Sequence, residues 1–192
     1  MLKIDVSEFK GPLTELMDQC SGEENGRKRF EGFKLWLKKV SILKFVATFT
    51  ASAHQRFVMK DHLQSANIGW TGPTFKQIML EKIEENVPAG ELNIHRLEKA
   101  SLDPEIMTER GEAKRVTYLA HFIERIEKQS KGQPGRLSTD GSANVAYIIG
   151  TDGNVWAVGA SWYSYCRFWR VGADSVGLRR EWPAGRQFLS SK

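Results

Sequence analysis

Residues 143–171 read ANVAYIIGTDGNVWAVGASWYSYCRFWRV. Two runs of β-branched, aromatic and small residues flank Asp152-Gly153. Asp-Gly is a strong hairpin signal, because a type I′ turn needs positive φ at both central residues. A two-residue turn there sets Ile149 opposite Trp156, Tyr147 opposite Val158 and Val145 opposite Ala160. The two-residue period of a strand puts these side chains on one face and Asn144, Ala146, Ala157, Gly159 and Ser161 on the other. A second turn with Ser164 and Tyr165 at its tip sets Trp169 opposite Ala160 and Val171 opposite Val158. It also sets Arg167 opposite Trp162, within cation–π reach. The stretch predicts a three-stranded antiparallel β-meander with one heavily aromatic face.

That face, carrying Tyr147, Trp156, Trp162 and Trp169, is expected to be core packed under a helix. The alternative is a stacking platform or partner surface. Tyr163, Tyr165 and Phe168 cannot all share the core with the tryptophans. A rim of Tyr163, Tyr165, Arg167, Phe168 and Arg170 is therefore the candidate binding surface of the C-terminal part.

Upstream, Phe30, Phe33, Leu37 and Val40 recur at three- and four-residue steps, the stripe of an amphipathic helix. Arg27, Lys28, Arg29, Lys34, Lys38 and Lys39 make that helix basic, and Arg27, Lys28 and Arg29 are its candidate contact residues. A shorter helix is expected from Leu13 to Gln19. Ser41 to Thr50 switches to β-branched and aromatic residues, which predicts a strand. Asn67 to Trp70 predicts another. Thr74 and Gln77 form a capping-box pattern ahead of a helix carrying Phe75, Ile78, Met79 and Ile83. Leu92 to Leu97 predicts a strand, and Asp103-Pro104-Glu105 opens a short helix. Residues 113–129 form the clearest helix, with Val116, Leu119, Ile123 and Ile126 buried and Glu124 paired with Lys128. Together these give an α+β fold, its helices packed on a mainly antiparallel sheet ending in the C-terminal aromatic-rich β-meander. Two parts are expected: a basic, largely helical segment with one strand at 1–64, and an α+β domain at 65–192.

The formal charge of +5 is uneven: +2 over residues 1–44, −1 over 45–129 and +4 over 130–192. A mild excess of this kind tolerates a polyanionic partner without requiring one. No apolar run reaches the roughly 18 residues of a membrane span. The N-terminus lacks the pattern of a secretory signal. Cys20 and Cys166 show no metal or redox spacing and are expected as free thiols. The expectation is a soluble, cytoplasmic protein with no membrane association.

No phosphate loop, dinucleotide fingerprint, His-Glu-x-x-His or Gly-x-Ser-x-Gly motif occurs. His54, His62, His95 and His121 are scattered, and no metal or other cofactor is expected. The acidic centre, Glu84, Glu85, Glu98, Asp103, Glu105, Glu109 and Glu112, reads as solvated helix surface. Cys166 beside Arg167 is the one residue placed like a nucleophile, and its base would have to come from His95 or His121.

Lys82-Ile83-Glu84-Glu85-Asn86-Val87-Pro88, His95-Arg96-Leu97 with Ser101-Leu102-Asp103, Ala143-Asn144-Val145-Ala146-Tyr147, and Trp156-Ala157-Val158 continue into Trp169-Arg170-Val171 and Trp182-Pro183-Ala184-Gly185. This series, over residues 68–190, resembles a group of short bacterial proteins from uncultured, small-genome bacteria. The group has no established activity, so the resemblance implies a defining domain at 65–192 and carries over no catalytic residue.

The leading functional expectation is a non-catalytic interaction protein with a protein partner, such as a host-interaction or defence-related factor. A second is nucleic-acid binding through the basic 27–39 helix and the Arg/aromatic C-terminus. A third is a small enzyme with Cys166 as nucleophile.

Overall fold

A computed structural model describes residues 41–111, 116–177 and 181–192. The expected helices at 13–19 and 27–39, with Cys20, Arg27, Lys28 and Arg29, lie outside the described residues.

Nine strands, three α-helices and one short 3-10 helix (Met59–His62) form the described unit, which begins at Ile42. The strands are β1 (Leu43–Ala51), β2 (His54–Val58), β3 (Ile68–Thr71), β4 (Ile83–Val87), β5 (Gly90–Leu97), β6 (Asn144–Ile149), β7 (Val155–Tyr163), β8 (Phe168–Ser175) and β9 (Gln187–Ser191). The helices are α1 (Pro73–Ile78), α2 (Asp103–Arg110) and α3 (Leu119–Glu127). Seven strands make one sheet in the order β1-β5-β9-β6-β7-β8-β3, and β2 pairs with β4 separately. Pairing is antiparallel except for β6 with β9 and β3 with β8. The fold is therefore mixed, strand-rich and mainly antiparallel. The sequence boundary near 65 sets β1 and β2 apart from the later chain. Backbone pairing joins them to it instead: β1 bonds along β5, and β2 along β4.

Both sheet faces are covered, and each helix sits where its apolar residues find a face. On one side Leu119, Phe122, Ile123 and Ile126 of α3, with Phe75 and Ile78 of α1, meet Ala146, Ile148, Val158, Ala160, Trp162, Trp169 and Val171. On the other side Ile106 and Met107 of α2 pack with Leu97, Val145, Tyr147, Ala157 and Phe188. Strand β6 is thus buried on both faces, which is why it reads as an unbroken apolar run.

The hairpin register differs from expectation. Ile149 pairs with Val155, Ile148 with Trp156, Tyr147 with Ala157 and Val145 with Gly159. The loop holds three residues, closed by Gly150 N–H to Asn154 O at 2.8 Å and Gly153 N–H to Gly150 O at 3.1 Å. Gly153 has φ +78°, while Asp152 is not among the residues of positive φ. A type I′ turn would need positive φ at both, so the chain takes the longer loop with one left-handed glycine. The slip is one residue, and a one-residue slip reverses a strand's faces. Tyr147 therefore leaves the tryptophan face and turns toward α2.

The second hairpin slips by two. Trp162 pairs with Trp169, Tyr163 with Phe168 and Ala160 with Val171. The face assignments of Trp162 and Trp169 survive, because two is the strand period. Arg167 lies in the turn with φ +57° and not opposite Trp162.

Two helix starts also change. α1 begins on Gly72 with Pro73 in its first turn and has no side-chain cap, so the Thr74–Gln77 box does not form. Ile83, expected on that helix, opens β4. α3 begins at Leu119, and Val116 bridges to Tyr147 before it.

Candidate functional site

The β7–β8 turn carries most of the expected rim. Tyr163 and Phe168 are the last strand pair, and Arg167 N–H closes the turn onto Tyr163 O at 2.8 Å. Asn67 Nδ2 donates to Arg167 O at 2.8 Å and Ser130 O at 2.9 Å, fixing the turn from outside. Tyr165 at its tip is 88% exposed and Tyr163 39%. Tyr163 contacts both Tyr165 and Phe168, with ring centroids 6.3 and 5.7 Å away. Phe168 is half-buried against Gly69 of β3, where a Cβ would come within 2.5 Å of its ring. Arg170 lies over Trp70 at 4.7 Å and over Tyr163 at 5.6 Å. The predicted Arg–aromatic stacking thus forms through Arg170 and not through Arg167. Trp70, 43% exposed, is the member the rim gains from β3.

A second feature adjoins it. On the α2 side of β7 and β8, Gly159, Ser161 and Gly172 floor a cavity of about 320 Å³. Trp70, Trp182, Arg170, Arg186 and Asp174 stand around it. Trp182 is held in place: its indole N–H donates to Asp103 Oδ1 at 2.7 Å, an atom that also accepts from Tyr147 O–H at 2.7 Å. Ser101 and Trp182 also exchange backbone hydrogen bonds. Burial, then the Asp103 charge, raise the Tyr147 hydroxyl pKa, so it remains a donor. Sequence reasoning did not assemble this groove. Its one signal was the small, polar strand face of Gly159 and Ser161.

The remaining polar groups hold the fold together. Glu84 is buried on β4 and accepts from Leu119 N and Ala120 N at 3.0 and 2.8 Å, so it caps α3. Glu109 accepts from Ile42 N and Leu43 N at the start of β1. Glu84 and Asp103 are therefore buried partners and not solvated helix surface. Glu124 bonds Ser52 N at 2.8 Å, Ser52 Oγ at 2.9 Å and Lys128 Nζ at 2.5 Å. Burial alone would raise the Glu124 pKa, but Lys128 and the Ser52 donors outweigh it and bring it to about 2. Ser52 Oγ donates to a carboxylate and His54 Nε2 stands 3.6 Å from that carboxylate, so no imidazole acts on the hydroxyl.

Cys166 is exposed in the β7–β8 turn. Its two expected bases are engaged elsewhere. His121 Nε2 lies 3.0 Å from Pro88 O, and His95 lies against Arg110 Nη1 at 2.8–2.9 Å. Burial and then the Arg110 charge push His95 down to about 4. Burial also lowers His121. Among the described residues no three His, Cys, Asp or Glu side chains are grouped to hold a metal. No helix among them is long and apolar enough to cross a membrane. No protein-family model matches the chain, and neither a curated protein nor a solved structure matches it.

Proposed function

We propose that this is a non-catalytic binding protein whose contact surface is the rim of Tyr163, Tyr165, Phe168 and Arg170 together with Trp70, and whose partner is a protein. The observation that carries the reading is the cost of the display. Tyr165 is almost fully exposed on a turn whose Arg167 adopts a left-handed backbone and whose carbonyl is tied by Asn67. An exposed tyrosine contributes little to folding, while Tyr, Trp and Arg are the side chains that concentrate binding energy at interfaces. Arg170, with its face on two rings and no acid partner among the described residues, keeps its edge donors for an incoming carboxylate. The three-stranded meander of β6, β7 and β8 serves as the platform, and the likeness to short bacterial proteins of no established activity adds no residue roles.

A photo-crosslinking residue at position 165 tests this in native extract. A discrete protein adduct that survives nuclease and disappears in the Tyr163→Ala/Arg170→Glu variant supports the reading. Adducts to nucleic acid alone, or adducts unchanged in the variant, overturn it.

Nucleic-acid binding is the second reading. The same stacked Arg170 and the +4 charge of residues 130–192 favour it. It predicts affinity for single strands that falls steeply with salt, and a flat salt response in an anisotropy titration removes it.

A further inference from the structure

The groove between Trp70 and Trp182 is distinct from the turn tip, and its floor is unusual. Gly159 and Gly172 are cross-strand partners in the interior of the sheet. Neither has a positive φ. A Cβ on Gly172 would meet nothing within 4 Å, and one on Gly159 only the Ala143 Cβ at 3.8 Å. Neither backbone geometry nor packing demands glycine at these positions. Glycine inside a strand is disfavoured on entropic grounds, and its recurrent use there is to let something approach the backbone closely.

The walls define what approaches. Trp70 and Trp182 line the groove, Trp70 with the Arg170 guanidinium 4.7 Å from its ring and Trp182 held by Asp103. Pre-set aromatic walls over a flat glycine floor suit a planar ring, since the ordering cost is met before binding. Arg170 and Arg186 also line the cavity, and neither guanidinium has a hydrogen-bond or ion-pair partner among the described residues. Two such forks favour a phosphate, which accepts bidentate donation. Asp174 supplies an acceptor on the same surface. A simple oxyanion would be repelled by it. A ligand that carries amine or hydroxyl donors beside its phosphate would use it. The cavity of about 320 Å³ lies at the small end of ligand sites.

We propose that this groove binds a nucleotide unit, with its base over Gly159 and Gly172 between the two tryptophans, its phosphate on Arg170 and Arg186, and an amine or hydroxyl donating to Asp174. This goes beyond the rim reading: it shares Arg170 and Trp70 with the rim but does not use Tyr163, Tyr165 or Phe168. The unit can be a free mononucleotide or one residue of a single strand, and the chemistry of recognition is the same.

Tryptophan fluorescence and calorimetric titrations of the full chain with AMP, GMP, adenosine, inorganic phosphate and a single-stranded octa-adenylate test the assignment. Saturable binding of AMP or GMP is expected, with adenosine and phosphate each weaker by about tenfold or more. Gly172→Val fills the floor and Arg186→Ala removes a phosphate contact. Each lowers affinity by about tenfold while the unfolding midpoint stays within a few degrees. Arg186→Lys restores part of it. Equal affinity for mononucleotide and oligomer assigns the free ligand, whereas tighter oligomer binding, lost with Gly172→Val, assigns a strand. Absence of saturable binding by all of AMP, GMP and the oligomer overturns the proposal, as does unchanged binding by the folded Gly172→Val and Arg186→Ala variants. Tyr165→Ala, which breaks the rim, leaves nucleotide binding intact, so the two readings fail separately.

Discussion

The two hairpins of β6-β7-β8 share a strand and differ in how their turns are held. The β6–β7 turn ties up its own side chains, with Thr151 N and Oγ1 also donating to Ile78 O of α1 at 3.1 and 3.2 Å. Asp152 accepts from Asn154 N–H at 3.0 Å, Asn154 Nδ2 at 2.9 Å and Trp156 Nε1 at 3.1 Å, all within the hairpin. The β7–β8 turn is supported from outside, by Asn67 on its backbone and Gly69 under Phe168. Its own side chains are left free, with Tyr165 exposed. A turn that spends its side chains on itself has none left for a partner. A turn braced by a neighbouring strand can display them. In the first turn Thr151, Asp152 and Asn154 are hydrogen-bonded, whereas in the second the Tyr165 side chain makes no hydrogen bond to the described residues.

The largest expected effect tests the base of the second hairpin. Trp169 is fully buried, meets Trp162 edge-on at 5.5 Å and donates its indole N–H to Gln129 O at 3.0 Å. Trp169→Ala should cost about 3–5 kcal/mol in denaturant unfolding. A loss below about 1 kcal/mol would mean that this strand is not anchored in the core.

Next is the external brace. Asn67 has φ +52° and donates two hydrogen bonds, so Asn67→Ala adds backbone strain to lost donors. A cost of about 1–2 kcal/mol is expected. The diagnostic sign is local: amide exchange should quicken at Arg167 and Trp169 before it does at Gly150 and Gly153. Uniform quickening of both turns would erase the distinction between them.

How much of this was legible varies from residue to residue. Val145 to Ile149 and Val155 to Ala160 declare themselves as strands, because their residue types suit no other element of that length. Their register does not, because Asp152-Gly153 serves both a two-residue turn and a three-residue loop. That ambiguity alone moved Tyr147 to the other face. The less favourable Ser164-Tyr165 turn misled by two residues and changed no face. The parity of a slip mattered more than its size. The rim residues 163–170 were visible as an excess of aromatic groups beyond what the core could take. The groove was not, because Trp70, Gly172 and Trp182 belong to distant stretches that only the β3–β8 pairing and the Asp103 bond bring together. Likewise Glu84 shows no sequence sign that it caps a helix beginning at Leu119.

Smaller effects separate the two left-handed turn positions. Gly153 has φ +78° with nothing near its missing Cβ, so Gly153→Ala costs only backbone strain, about 1 kcal/mol. Arg167 already bears that strain at φ +57°. Arg167→Gly removes about 1–2 kcal/mol of it and adds roughly 0.5–1 kcal/mol of unfolded-state entropy. The net is a gain of about 0.5 kcal/mol. Opposite signs from the two substitutions, read as shifts in unfolding midpoint, are the expected result. Destabilisation by Arg167→Gly would show that the arginine side chain holds the turn, and that the turn is not free for display.

The smallest effect concerns pH and leaves global stability aside. The Asn154 side chain and then the Trp156 indole, donating to Asp152, hold its carboxyl below the ordinary value of 3.8. A carboxylate with a lowered folded pKa keeps its contacts at and above the ordinary value and loses them as pH falls through the lowered one. The Trp156 indole N–H resonance should therefore titrate with a midpoint below 3.8, as the bond to Asp152 breaks. The rings of Tyr163 and Tyr165, which bond to no carboxylate among the described residues, should show no matching step. A Trp156 midpoint at or above 3.8 would mean that Asp152 is not engaged. The side chains of the first turn would then be no more tied up than those of the second, and the second would lose its claim to be the one shaped for a partner.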